Sequence, residues 1–202
     1  GAVEVMWNCL TTKDNGATRY ISEDAVAVQY AADQSAASGT VKISGACVGT
    51  QTRSSRQQLL SVEKTLTLQG GWNNTFATLN RDLYPTLLDA ANTGRVLYVA
   101  DNQTVTMEGL RLTRGSSADG GAAYLAAGTN VTLTYSLVYN NSATAAGGGI
   151  FSVGSALTLN QSHIYSNTAT TVGGGIYMSS GALSLSSSSV HGNRATTSTG
   201  GG

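Results

Sequence analysis

The chain has 202 residues, with eleven Lys or Arg balancing eleven Asp or Glu, and only 11% of its residues are charged. Zero formal net charge and the lack of any Lys/Arg cluster exclude the electrostatic footprint of a nucleic-acid or anionic-membrane binder. Apolar residues reach 41%, enough for one domain with a continuous core, yet no apolar run is long enough to span a bilayer.

The start, "GAVEVMWNCL", lacks the basic and apolar regions of a signal peptide, so any export signal is expected to have been removed already. Cys9 and Cys47 are the only cysteines and lack the C-x-x-C spacing of a zinc or redox site. A disulfide is the favoured reading, with two buried free thiols as the alternative; the bond would pin the N-terminal segment to the first strand and persist only in an oxidising compartment. Next, "SEDAVAVQYAADQSA" offers Ser22 as an N-cap, acidic residues for a first turn, and Val28, Ala31 and Ala32 as an apolar face. A short helix is expected there, covering one end of the core.

Beyond it, "SGTVKISGACVG", "VEKTLTLQGGW" and "RVLYVADNQTVTMEGLRLT" read as strands of irregular first coils. From there a period of 26 residues sets in. "SLVYNNSATAAGGGIF" is followed by "SHIYSNTATTVGGGIY" and then by "SSVHGNRATTSTGGG". The same shift superposes Val131 on Leu157 and Leu183, Leu133 on Leu159 and Leu185, and Val138 on Ile164 and Val190. Within a repeat, as in "ALTLNQSHIY", apolar and small polar residues alternate, which is the signature of a strand. Three short strands per repeat bury a face only when successive repeats stack, so the predicted fold is all-β, a right-handed single-stranded parallel β-helix of about 26 residues per coil with a short N-terminal capping helix. Residues 1–40 form the N-terminal segment and cap, 41–119 the irregular coils and 120–202 the regular ones, as one continuous domain expected to extend past residue 202.

Particular columns follow from the period. Asn141, Asn167 and Asn193 fall at strand ends, where asparagine tolerates left-handed backbone, and stacked they would form an amide ladder. The triplets Gly147, Gly148, Gly149 and Gly173, Gly174, Gly175 are read as corners that admit unusual backbone and leave room for the coil above. A phosphate-binding loop is disfavoured, because neither a following Lys-Ser/Thr nor a dinucleotide fingerprint between a strand and a helix is present. Tyr139, Tyr165 and His191 form one aromatic column, and Tyr124, Phe151 and Tyr177 another, for packing or as a platform for sugars. A flat threonine face of the ice-binding kind is disfavoured, since no T-x-T column keeps phase.

The motifs "GGGIF" and "GGGIY", with "VYNN", "IYSN" and "VHGN", resemble the GGA-I and F-x-x-N repeats of the chlamydial polymorphic outer membrane proteins and related bacterial surface proteins. Val or Ile stands in place of Phe in every copy, so the likeness is to the wider pectate-lyase-like β-helix group, over about half of the chain. The resemblance implies adhesion or surface structure and, in enzyme branches of that group, cleavage of acidic polysaccharides.

Such cleavage needs paired carboxylates or a carboxylate-held calcium ion beside a base. All eleven acidic residues lie at or before Asp119, so the regular coils cannot supply them. A catalytic site would have to use Asp89, Asp101, Glu108, Arg111, Arg114 or Asp119, and neither a catalytic nor a metal set is assigned; no cofactor is expected. His163 and His191 are two positions out of register on adjacent coils and lack a third ligand. The expected function is a non-catalytic, secreted or cell-surface structural or adhesive protein, with a carbohydrate-active enzyme as the alternative. Expected partners are the protein itself, through end-to-end stacking or further repeats, and glycans or proteins of a cell surface. Five N-x-S/T sequons, at Asn73, Asn102, Asn130, Asn140 and Asn160, permit glycosylation without arguing for it.

Overall fold

The computed structural model describes residues 8–14, 16 and 18–197. The chain winds as a parallel β-helix in which equivalent strands of successive coils pair into four sheets of eight, six, four and six strands. One regular coil runs through Asn130–Thr134 on the first sheet, Leu137–Tyr139 on the second, Ser142–Ala143 on the third and Ile150–Ser152 on the fourth. The third sheet is the strand beyond the three expected; at two residues per coil it is too short to leave an alternating pattern. Register is as the period requires: Val131 pairs with Leu157 and Leu157 with Leu183, and Val138 with Ile164 and Ile164 with Val190. These inward columns join one core cluster that reaches from Cys9 and the helix to Ile164.

Each corner combines a left-handed residue with a group that bonds along the coil axis. Between the second and third sheets the left-handed positions are Asn140 (φ 54), Ser166 (φ 53) and Gly192 (φ 60), each one residue before a ladder asparagine. The expectation that the ladder residues themselves take that conformation is therefore corrected. The preceding residue makes the turn, which frees the buried amide to point along the axis. Asn167 is fully buried; its Nδ2 donates to Val138 O (2.9 Å), Tyr165 O (3.0 Å) and Asn193 Oδ1 (3.0 Å), while its Oδ1 accepts from Asn141 N–H and Nδ2. Asn141 repeats this pattern one coil earlier. Between the first and second sheets a hydroxyl ladder does the same: Ser136 N–H donates to Ser162 Oγ, and Ser162 N–H to Ser188 Oγ.

Within the glycine triplets the roles are divided. Gly147 (φ +65) and Gly173 (φ +61) make the left-handed turn, whereas a Cβ on Gly148 would sit 2.4 Å from both Gly174 O and Thr168 O on the next coil. The first glycine is required by conformation and the second by space. Gly200 to Gly202, which continue the series in sequence, lie outside the described residues.

At the N-terminal end, Arg19–Ser22 and Cys9–Lys13 pair antiparallel with each other and then with Gly39–Ser44. This hairpin, together with the helix Val26–Gln34, covers the first coil, so the cap is more than the helix alone. The helix buries Val28, Ala31 and Ala32 as expected. It starts later than Ser22 implies: Ala25 is the N-cap, no acidic residue lies in the first turn, and Ser22 Oγ instead accepts from Ala27 N–H while Asp24 Oδ1 accepts from Val26 N–H. Cys9 and Cys47 form a disulfide with a Cα–Cα distance of 4.5 Å, joining the hairpin to the first strand of the second sheet, Ala46–Val48. The irregular region owes its character to an antiparallel pair, Gln51–Arg53 with Arg56–Val62, and to an excursion over residues 70–85 that separates the neighbours Gln69 and Glu108 by 39 residues.

That excursion hides a feature of the first sheet. Thr40, Thr67, Thr106, Thr132 and Thr158 pair in succession, so one threonine column does keep phase, ending on Ser184. Its neighbour two positions on runs Gln69, Glu108, Thr134, Asn160 and Ser186, so the T-x-T face is not regular.

Replacing Asn167 by Ala is expected to lower the unfolding free energy by about 3 kcal/mol, because it strands several buried backbone groups at once. A lowered urea midpoint with an unchanged m-value would show it. Reducing the Cys9–Cys47 bond, which closes a separation of 38 residues, should cost about 4 kcal/mol by the loop-entropy estimate, read from denaturation with and without reductant.

Candidate functional site

The carboxylates of the irregular coils are dispersed and individually engaged. Asp89 is buried and accepts Arg114 Nε at 2.7 Å and Nη2 as a fork, and it also holds Ala91 N–H at 2.9 Å. That ion pair raises the Arg114 pKa above its usual value. Glu108 takes Gln69 Nε2 at 2.8 Å and lies 3.9 Å from Arg81. Asp101 and Asp119 each accept a backbone N–H one coil on, from Ala127 and Ala146. These are corner-bracing bonds. No group of three His, Cys, Asp or Glu able to hold a metal occurs among the described residues. Arg111 lies on the second sheet opposite Leu137. His163 pairs with Ser189 and its Nδ1 meets Ser189 Oγ at 2.7 Å, while His191 stacks on Tyr165, so the histidines are apart as the register required.

Both aromatic columns exist. Tyr139, Tyr165 and His191 stack with centroids 5.3 and 5.7 Å apart and planes within 7°. Tyr98, Tyr124, Phe151 and Tyr177 stack at 5.7, 5.1 and 5.2 Å, one ring longer than the sequence suggested. Stacked along the axis, the interior rings turn their faces to one another and their edges outward. A platform for sugars needs free faces, so these columns serve packing.

One concavity that gathers polar and charged groups is a groove of about 620 Å³ beside the fourth sheet. Arg95 opens the strand Arg95–Val99 and is 8% exposed. Its Nε donates to Gly120 O at 3.0 Å, and its Nη2 donates to Asp119 O at 2.7 Å and to Ser117 Oγ at 2.9 Å. Burial pulls the Arg95 pKa below its usual value; Tyr124, Asp119 and Tyr98 oppose this and the charge of Arg56 adds to it. The exposed Arg56 lies over the Tyr98 ring at 4.3 Å, and Arg95 over Tyr124 at 5.0 Å. Thr93, Ser116, Ser117 and Gln57 supply hydroxyls and an amide to the same wall. Sequence reasoning missed this groove because its two arginines come from different coils and share no period. The aromatic phase, carried back one step, would have reached Tyr98.

None of the five sequon asparagines is buried; Asn102, Asn130 and Asn140 are exposed, Asn73 and Asn160 half-buried. Compared with protein-family models, curated proteins and solved structures, the chain matches none, so the likeness to bacterial outer membrane repeats rests on the motif residues alone.

Tyr165, half-buried between Tyr139 and His191, has its pKa raised above 10.0 by burial, with Tyr139 reinforcing and Arg111 opposing. A raised folded pKa contributes stability that is present below the unfolded value and lost as pH climbs through the folded one. Stability is therefore expected to fall as pH rises past 10, less so in Tyr165→Phe, as measured by chemical denaturation at stepped pH.

Proposed function

We propose that this chain is a non-catalytic, extracellular or cell-surface β-helix with a structural or adhesive role. The observation that carries the reading is how the polar side chains are used. Asn141 and Asn167, Ser136 and Ser162, and the carboxylates of Asp89, Asp101, Glu108 and Asp119 are all engaged in bonds, most of them between coils, that hold the solenoid together. General acid–base chemistry needs a carboxyl group free to exchange a proton at a substrate, whereas each of these four holds a structural bond. The disulfide supports an oxidising compartment, where such bonds persist. A rigid rod with repetitive faces suits display or scaffolding. As partners we propose further coils of the same register, in cis or from a second copy, and glycans or proteins of a cell surface.

The test is incubation of the purified chain with pectin, alginate and related uronic-acid polymers. No unsaturated or reducing ends should be released. Release that disappears on substituting Asp89, Asp101, Glu108 or Asp119 would overturn the non-catalytic reading in favour of a carbohydrate-active enzyme.

A further inference from the structure

Three pairs of tyrosines meet ring to ring among the described residues. Tyr20 and Tyr30 meet edge to face at 4.9 Å, with planes 66° apart. Tyr98 and Tyr124 stack at 5.7 Å and 22°, but Arg56 lies over the first ring and Arg95 over the second. Tyr139 and Tyr165 stack at 5.3 Å and 5°, and among the described residues no cation lies over either ring. Arg111 and Arg114 act on Tyr165 and Tyr139 by charge alone, and Arg114 is already held by Asp89. Tyr139 and Tyr165 are partners in the register of adjacent parallel strands, about 4.8 Å apart along the axis. Thr113 precedes Tyr139 in this column and His191 follows Tyr165, so each phenol has one phenol beside it. Both are half-buried, packed by their faces and open at their outward edges.

We infer that Tyr139 and Tyr165 are a site of oxidative cross-linking, coupled by hydrogen peroxide and a haem peroxidase into one dityrosine that ties two adjacent coils together. Each phenol gives up its O–H hydrogen as a proton and an electron, and one peroxide takes both pairs and becomes two waters. The two phenoxyl radicals then join through a carbon–carbon bond between ring positions ortho to oxygen, and the hydrogens on those carbons return to the oxygens. The net loss is two hydrogen atoms. Holding both radicals side by side makes the coupling intramolecular, which favours it over encounters between chains. The ortho carbons lie on the outward ring edges, so the rings need only tilt toward each other at the surface. A guanidinium against a ring face opposes withdrawal of an electron from it, which disfavours Tyr98 and Tyr124. In Tyr20 and Tyr30 an edge meets a face, so ortho carbons do not lie opposite one another.

The inference rests on the extracellular reading above only for its setting, an oxidising exterior that peroxide can reach. The intact folded chain is treated with hydrogen peroxide and a haem peroxidase, then followed by dityrosine fluorescence and intact mass. A monomer lighter by two hydrogen atoms is expected, with a yield unchanged on dilution and a raised urea midpoint. Peptide mapping of this product should join the segments around Tyr139 and Tyr165. Tyr139→Phe and Tyr165→Phe each keep a ring in the stack, as Phe151 does between Tyr124 and Tyr177, and should each lower the yield by about tenfold. Tyr98→Phe and Tyr20→Phe should leave it unchanged. No dityrosine, a cross-link mapped to other tyrosines, a yield that survives both Tyr139→Phe and Tyr165→Phe, or coupling only between chains would overturn the inference. Any of these results would leave the structural or adhesive reading intact, whereas cleavage of uronic-acid polymers would overturn that reading and leave the cross-link to stand.

Discussion

Everything in this fold depends on polar groups bonding along the coil axis in strict register. A short coil has corners, and at a corner the backbone N–H and C=O groups leave the sheet ladders while still facing the interior. Buried unpaired, each would cost on the order of 1–3 kcal/mol. The amides of Asn141 and Asn167 and the hydroxyls of Ser136 and Ser162 satisfy them by reaching to the neighbouring coils. Each such bond presupposes an equivalent residue 26 positions away. Regularity is thus a hydrogen-bonding requirement, and the apolar columns follow it rather than impose it.

The same constraint shapes what the surface can do. Rings repeated every coil stack on one another, which stabilises the rod and withdraws their faces from any ligand. Carboxylates near the corners are drawn into the bracing, as Asp101 and Asp119 are by backbone N–H groups one coil on. Side chains that do not recur gather where the period fails. Arg56 belongs to an antiparallel strand pair found in no regular coil, and Arg95 replaces what would otherwise be a small corner residue. Their groove lies at the junction between irregular and regular coils, where side chains need not match those above and below.

The cap solves a separate problem. The first strand of a parallel stack has an open edge and its coil an open apolar section. An antiparallel hairpin takes up the edge and the helix covers the section, with the Cys9–Cys47 bond tying both to the first coil. Charges assist locally: Asp14 Oδ2 accepts Ala36 N–H, and Lys64 Nζ donates to Asp33 O and Ser35 O at the end of the helix.

The amino-acid sequence by itself determined the solenoid, its period, the apolar and asparagine columns, both aromatic stacks and the corner role of the glycine triplets. Each of these is a one-dimensional recurrence, and a stack of coils converts recurrence directly into contact. The favoured disulfide was legible from the isolation of two cysteines. Tertiary structure alone decided the rest. Which corner residue turns left-handed depends on where the buried amide must point, so it fell to Asn140 and Ser166 rather than to their neighbours. The threonine column runs across the excursion at residues 70–85, which stretches one step of the column to 39 residues by a length no local pattern encodes, although its last three threonines share the 26-residue phase. The guanidinium pair joins residues of different coils and no common phase, and only the folded chain brings Arg56 and Arg95 to one wall.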